Sequence, residues 1–321
     1  VSIIEKAVSR LGQRKAEATT PSMPIAGTPV DFKIGDANRM DNGITKQDGL
    51  SNLASTATLV STSDTVTRNS AKKVSAPSVH AIKQVEINLE RLAAKNMVTS
   101  GSGRNPVAEE FRVIKRPLID NAFSKDGRSV NRNNLIMVTS ALPGEGKTFT
   151  AINLAISIAM ELDHTVLLVD ADVARPSVLR TLGLKAEAGL MDLLLNAKTD
   201  VSDVLLKTNI DTLSILPAGK SHRNATELLA SQTMSSLLDE IASRYPDRIV
   251  IFDSPPLLLT SEARVLASQM GQIVVVVEAE TTTVHAVKNA LGQLESCSNV
   301  NLVYNKAKSF PGQESYGYYY G

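Results

Sequence analysis

Residues 135–150 read LIMVTSALPGEGKTFT, and the fold turns on this stretch. Leu135 to Ser140 is an apolar run of strand length. A glycine-rich loop follows, and a helical pattern begins at about Lys147. The spacing from Ala141 to Gly146-Lys147-Thr148 matches the phosphate-binding loop, except that Ala141 stands where the first glycine is usual. Gly144 and Gly146 permit the backbone curl that lets N–H groups converge on an anion. The following helix turns its positive end to the same place. Pro143, Gly144, Glu145, Gly146, Lys147, Thr148 and Phe149 are therefore the candidate nucleotide-binding residues, with Lys147 facing phosphate and Thr148 offering a hydroxyl to Mg²⁺.

Outward from this loop the text alternates. TVLLVDAD, LSILPAG, RIVIFDSPP, QIVVVVEAE and NLVYNKA are short apolar runs, separated by KTFTAINLAISIAMEL, ATELLASQTMSSLLDEIASRY, SEARVLASQM and TVHAVKNALGQLES. Runs of Val, Ile and Leu without polar alternation imply strands buried on both faces. The expected fold is α/β: a P-loop NTPase fold, mostly parallel, with helices on both faces. Sites in such folds lie at the carboxyl ends of the strands.

Two strands end in aspartate. VLLVDADVARP carries Asp170, Asp172 and Arg175, and IVIFDSPP carries Asp253. A strand-end Asp can cap the next helix or hold Mg²⁺, which keeps several waters and needs only one or two carboxylates. Beside a phosphate loop the metal reading is preferred for Asp253 and for at least one of the pair, with Thr148, Asp172 and Asp253 as the candidate ligands. Asp170 and Asp172 alternate on one strand and so can face one site. One can hold metal while the other accepts a proton from a hydroxyl substrate. The sequence leaves open which does which.

The remaining composition sets limits. Net charge is +1 over 321 residues, with no basic stripe, so nucleic acid is not expected as a partner. The single Cys297 excludes an internal disulfide and fits a cytoplasmic setting. The longest apolar run, IVVVVEA, has strand length and not the ~20 residues of a membrane span. Residues 1–105 are read as mostly disordered, because stretches such as GLSNLASTATLVSTSDTVTRNSAKKVSAPS lack large apolar residues. Two helical segments interrupt them: one over Ile3, Ile4, Ala7, Val8 and Leu11, and one over SVHAIKQVEINLERLAAKNMV. Either can be a docking peptide or a transient helix. The folded domain is expected over 106–308, followed by a flexible tail over 309–321. That tail holds Tyr316, Tyr318, Tyr319 and Tyr320, four of the six tyrosines in the chain.

SALPGEGKT, LLVDADVARPSVLRTLGL and IVIFDSPP, in this order, resemble the bacterial tyrosine autokinases of exopolysaccharide systems. The resemblance runs from about Val107 to the C-terminus and includes GLMDLLLN and LPAGKSHRNATELLAS, which resemble loops of that family. It implies ATP and Mg²⁺ as cofactors, Lys147, Asp170, Asp172 and Arg175 as catalytic residues, and the terminal tyrosines as autophosphorylation sites. EEFRVIKRPL resembles the family's oligomerisation helix: Glu109 and Arg112 match, while Lys115 followed by Arg116 stands at the last position. Asn305 is similar in place to an adenine-contacting residue of related ATPases, or is an asparagine in a strand-end turn. SIIEKAVSRL and AEEFRVIKRPL more narrowly resemble kinases of exosortase-type (PEP-CTERM) loci. The implied partners are further copies of the chain, a membrane-bound chain-length regulator as activator, and a tyrosine phosphatase. The implied location is cytoplasmic, at the inner membrane through that regulator. The rival reading is a ParA/MinD-like ATPase switch. Its loop resembles KGGxGKT, with a lysine where this chain has Leu142, and it gives the tyrosine tail no role.

Overall fold

A computed structural model describes residues 83–99, 105–124 and 132–308, with 197 and 246 excepted. The expectations for residues 1–82 and for the tyrosine tail lie outside the described residues. The strands are β1 (Lys83–Gln84), β2 (Leu135–Ser140), β3 (Thr165–Asp170), β4 (Leu206–Lys207), β5 (Leu213–Leu216), β6 (Arg248–Asp253), β7 (Gln272–Glu278) and β8 (Val300–Asn305). They form one sheet in the order β1-β4-β5-β3-β6-β2-β7-β8. Every neighbouring pair is parallel except β4 with β5.

The central strands lack polar alternation because both faces are covered. Leu135 and Met137 of β2, Val169 of β3 and Phe252 of β6 face one core. Ile136 and Val138, Leu168 and Ile251 face the other. The first core is closed by helices at Leu190–Leu195, Ala225–Leu229, Gln232–Arg244, Ser261–Ala267 and Val284–Gly292. The second is closed by α1 (Leu89–Ala93), α2 (Pro106–Ala122), α3 (Lys147–Ala159) and α4 (Val178–Leu182). Helix α3 is buried at every position from Thr150 to Ala159, so it reads as continuously apolar where a surface helix would show a stripe. No helix among the described residues is long and apolar enough to cross a membrane.

Three sequence expectations are corrected. Of the segment over 78–98, the described part from residue 83 is helical only at Leu89–Ala93, and Lys83–Gln84 is an edge strand. Its Ile87, Leu92, Met97 and Val98 are buried in the second core. Asn209 accepts from the Ile87 amide at 2.9 Å, and Asn153 accepts from the Val98 amide at 2.6 Å. Packing therefore extends upstream of the expected start at 106, to about residue 83. Within the resemblance, GLMDLLLN is a helix over Leu190–Leu195 and not a loop; Asp192 turns back to accept from the Gly189 amide at 2.8 Å.

The third correction concerns Lys115. Glu109 and Arg112 pair with each other on the exposed face of α2. Lys115 turns inward and is 5% exposed. Its ammonium donates to the Ser157 carbonyl at 2.6 Å and pairs with Glu161 at 2.7 Å, with Arg116 at 3.5 Å from the same carboxylate. Lys115 thus ties α2 to the end of α3. The exposed charges of this helix are Glu109, Glu110, Arg112, Arg116 and Asp120.

Candidate active site

Strands β2, β3 and β6 lie side by side, and their carboxyl ends bring the chemistry together. Asp170 and Asp253 are register partners across β3 and β6. After β2 the chain makes the glycine loop, with Gly144 at φ 87° and Gly146 at φ 99°. Both angles lie in the left-handed region, which glycine enters without steric cost. Gly146 also lacks room: a Cβ there would lie 1.9 Å from Nδ2 of Asn305. Lys147 and Thr148 open α3, so both side chains start at the loop.

Lys147 donates to Asp172 Oδ2 at 2.8 Å and lies 3.8 Å from Asp253 Oδ1. Burial opposes its charge, but Asp253, Asp172 and Asp170 outweigh that and lift its pKa above the ordinary value. Thr148 donates to Asp253 Oδ2 at 2.7 Å. A hydroxyl has one proton, so Thr148 accepts from the Ser177 hydroxyl, 2.7 Å away.

The two aspartates of β3 and its exit differ in their surroundings. Asp170 is 1% exposed, and its Oδ2 accepts from the Ser177 and Val178 amides, each at 3.0 Å. It therefore caps the start of α4, the alternative that the sequence left open. Asp172 has both oxygens engaged, one by Lys147 and the other by the Arg175 amide at 3.1 Å. The Arg175 side chain is exposed at the rim. Burial, then the neighbouring Asp253, push Asp170 up to about 7. Burial raises Asp253 to about 6 even though Lys147 and Thr148 act against it.

Two carboxylate oxygens in this cluster, Asp170 Oδ1 and Asp253 Oδ1, are buried without a hydrogen-bond partner. A buried carboxylate oxygen without a donor is costly. Such an atom fits a site that a cation or a transferred proton completes. Among the described residues no three acidic, His or Cys side chains surround one point closely enough to hold a metal alone. Asp253 and the Thr148 hydroxyl therefore fit an ion that takes its other oxygens from phosphate and water, as Mg²⁺ does.

Asn305 ends β8 on the outer side of the loop, where Nδ2 donates to the Glu145 carbonyl at 2.8 Å. Glu145 is 2% exposed; it accepts from the Leu142 amide at 2.6 Å and from the Thr282 hydroxyl. Pro143 and Gly144 are exposed at the lip, and Phe149 packs toward Phe111 with ring centroids 6.3 Å apart. Ser177, Thr282 and Lys306 also touch the loop or its carboxylates, though the sequence alone gives them no role. Ser177 follows Arg175-Pro176, and Lys306 directly follows Asn305; proximity to motif residues was the only available signal.

A family model described as an AAA domain matches residues 133–306. The chain is 30% identical over 226 residues to tyrosine-protein kinase YwqD of Bacillus subtilis (strain 168), covering 70% of this chain and 91% of YwqD. The kinase domain of the Escherichia coli tyrosine kinase ETK aligns with a TM-score of 0.53 at 25% identity, covering 74% of this chain and 94% of that one. The chimerical protein CapA2B2 aligns with a TM-score of 0.56 at 26% identity, covering 71% and 94%.

Proposed function

The chain belongs to the bacterial tyrosine-protein kinase family and is a protein-tyrosine kinase; from that premise we propose that it transfers the γ-phosphoryl group of Mg²⁺-bound ATP to tyrosines of its own C-terminal tail, presented by a neighbouring copy. The observation that carries this reading is the meeting of Lys147, Thr148, Asp172 and Asp253 below the glycine loop, beside a second buried carboxylate, Asp170.

The loop amides and the start of α3 receive the phosphates. Lys147 exchanges Asp172 for a phosphate oxygen and opposes the charge that builds there during transfer. Thr148 and Asp253, with Asp172 once Lys147 has left it, are the residues that would hold Mg²⁺, which would supply positive charge to offset that of the phosphates. Asp170, anchored by two amides through Oδ2, keeps Oδ1 free for the proton of the tyrosine hydroxyl. A carboxyl titrating near neutrality suits that exchange. Arg175, whose amide donates to Asp172 and whose side chain is exposed, would meet the incoming anionic substrate.

Tyr316, Tyr318, Tyr319 and Tyr320 supply four hydroxyls within the last six residues. Each phosphate adds roughly −1.5 to −2 charges. A modified tail is therefore repelled by the carboxylates and the nucleotide, and phosphorylation releases neighbouring copies held through unmodified tails. Glu109, Arg112 and Arg116, exposed on α2, are proposed to join the copies. The biological setting is the control of exopolysaccharide synthesis or export on the cytoplasmic side of the inner membrane. A membrane-bound chain-length regulator activates the kinase there, and a tyrosine phosphatase resets it. Leu142 fills the position where an ATP-driven positioning switch would carry its lysine.

The test is complementation in trans. Lys147→Met keeps an intact tail, and a variant with Phe at all four tail positions keeps an intact site. Mixed with Mg-ATP, the pair should place phosphate on the Lys147→Met chain. No transfer in the mixture, with wild type active alone, would refute transfer between copies.

A further inference from the structure

The loops that follow β7 and β8 grip the phosphate loop from behind. Asn305 Nδ2 donates to the Glu145 carbonyl and Lys306 Nζ donates to the Gly144 carbonyl, each at 2.8 Å. Lys306 also pairs with Glu278 Oε2 at 2.9 Å, at the end of β7. Thr282, four residues on, accepts from the Glu278 amide at 3.2 Å and donates to the Glu145 carboxylate. Lys306 has φ 58° and Glu280 has φ 61°. Left-handed backbone at a residue with a Cβ persists where surrounding contacts over-determine it, and such outliers gather at functional sites. Of the three such residues among those described, Lys306 and Glu280 lie in loops that touch the phosphate loop, and Asn96 follows α1.

We propose that Asn305 and Lys306 are positioning residues for nucleotide binding, with Glu278 fixing the lysine. In a planar trans peptide the carbonyl and the next N–H point in opposite directions. Holding the Gly144 and Glu145 carbonyls outward therefore turns the Glu145 and Gly146 amides inward, toward the anion. Without that hold, a loop with two left-handed glycines has many other conformations and must be ordered by the ligand at the expense of affinity. The Lys306 ammonium is shared between the Gly144 carbonyl and the Glu278 carboxylate. These residues touch the loop and not the reacting atoms, so they govern how tightly nucleotide binds and leave the transfer step to Lys147 and the aspartates.

This inference rests on the reading that the loop binds nucleotide, but not on the tail being the substrate. The experiment measures Kd for a fluorescent ATP analogue with Mg²⁺, together with KM and kcat for phosphate incorporation. Losing one charge-assisted hydrogen bond should raise Kd and KM about tenfold in Lys306→Met. The kcat should stay within about twofold, as expected when ground state and transition state lose the same contact. Lys306→Arg, which can still bridge carbonyl and carboxylate, should recover most of the affinity. Asn305→Ala should raise Kd in the same direction, and it decides the matter if Lys306→Met fails to fold. Unchanged Kd in both variants overturns the proposal. So does a lowered melting midpoint with Kd intact, since that is all a merely structural role would produce. If wild type binds nucleotide but never modifies its tail, the tail reading fails while the Kd comparison still judges the clamp.

Discussion

Acidification should stabilise the nucleotide-free, metal-free protein. Asp170 rises from an ordinary 3.8 to about 7, chiefly through burial and then the nearby Asp253. A carboxyl whose folded pKa is raised binds more protons folded than unfolded between those values. Stability therefore grows as pH falls through about 7 and levels off near 4. Treated as a single site, the shift makes the fold about 2 kcal/mol more stable at about pH 5.5 than at about pH 8. For a domain of this size that corresponds to roughly 4–8 °C in the melting midpoint. Asp253, raised to about 6, adds in the same direction, and Lys147 and Asp172 face both groups. The assay is scanning calorimetry in a chelator across this pH range, on wild type and Asp170→Asn. The Asn side-chain oxygen can still accept from the Ser177 and Val178 amides but cannot ionise, so its midpoint should depend less on pH. Saturating Mg-ATP should raise the wild-type midpoint more at the alkaline end, where no proton competes for the carboxylates. A wild-type midpoint that is flat or falls on acidification would refute this reasoning, and so would an equal slope in Asp170→Asn.

Lys147→Met should fold and lose autophosphorylation by about two to three orders of magnitude, measured with labelled ATP, because contacts to developing charge dominate such transfers. Lys115→Met should cost about 1.5–3 kcal/mol in urea denaturation, since the Ser157 carbonyl loses its buried charged donor and Glu161 keeps only the more distant Arg116; an unchanged midpoint would mean that the buried ammonium contributes nothing net. Reversing the exposed pair, with Glu109→Arg and Arg112→Glu together, should preserve the melting midpoint and α2; sedimentation should report weaker self-association if this face joins copies.

Much of the architecture was legible in the sequence because burial on both faces leaves an unambiguous trace. Val-, Ile- and Leu-rich runs such as IVVVVE have no polar alternation, and the residues ending β2, β3, β6 and β8 locate one edge of the sheet. The segment 83–99 was not legible. Its apolar residues are too irregularly spaced for one period, and its order depends on Asn153 and Asn209, both distant in sequence. Spacing placed Lys115 near the face of Glu109 and Arg112, but an inward turn depends on Glu161 and Ser157 of another element. The carboxylates were easy to find and hard to tell apart. DAD looks symmetrical in text, yet α4 gives two amides to Asp170, and Lys147 gives its ammonium to Asp172. Lys306 carried no signal because its role lies in an exposed lysine reaching a backbone carbonyl across the fold.

The central claim is phosphoryl transfer to the tail, and its most direct test is mass spectrometry of the purified chain before and after incubation with Mg-ATP. The account predicts phosphate on peptides carrying Tyr316, Tyr318, Tyr319 and Tyr320, absent from Lys147→Met under the same conditions. ATP turnover with an unmodified tail, or phosphate confined to residues outside 316–320, would contradict it.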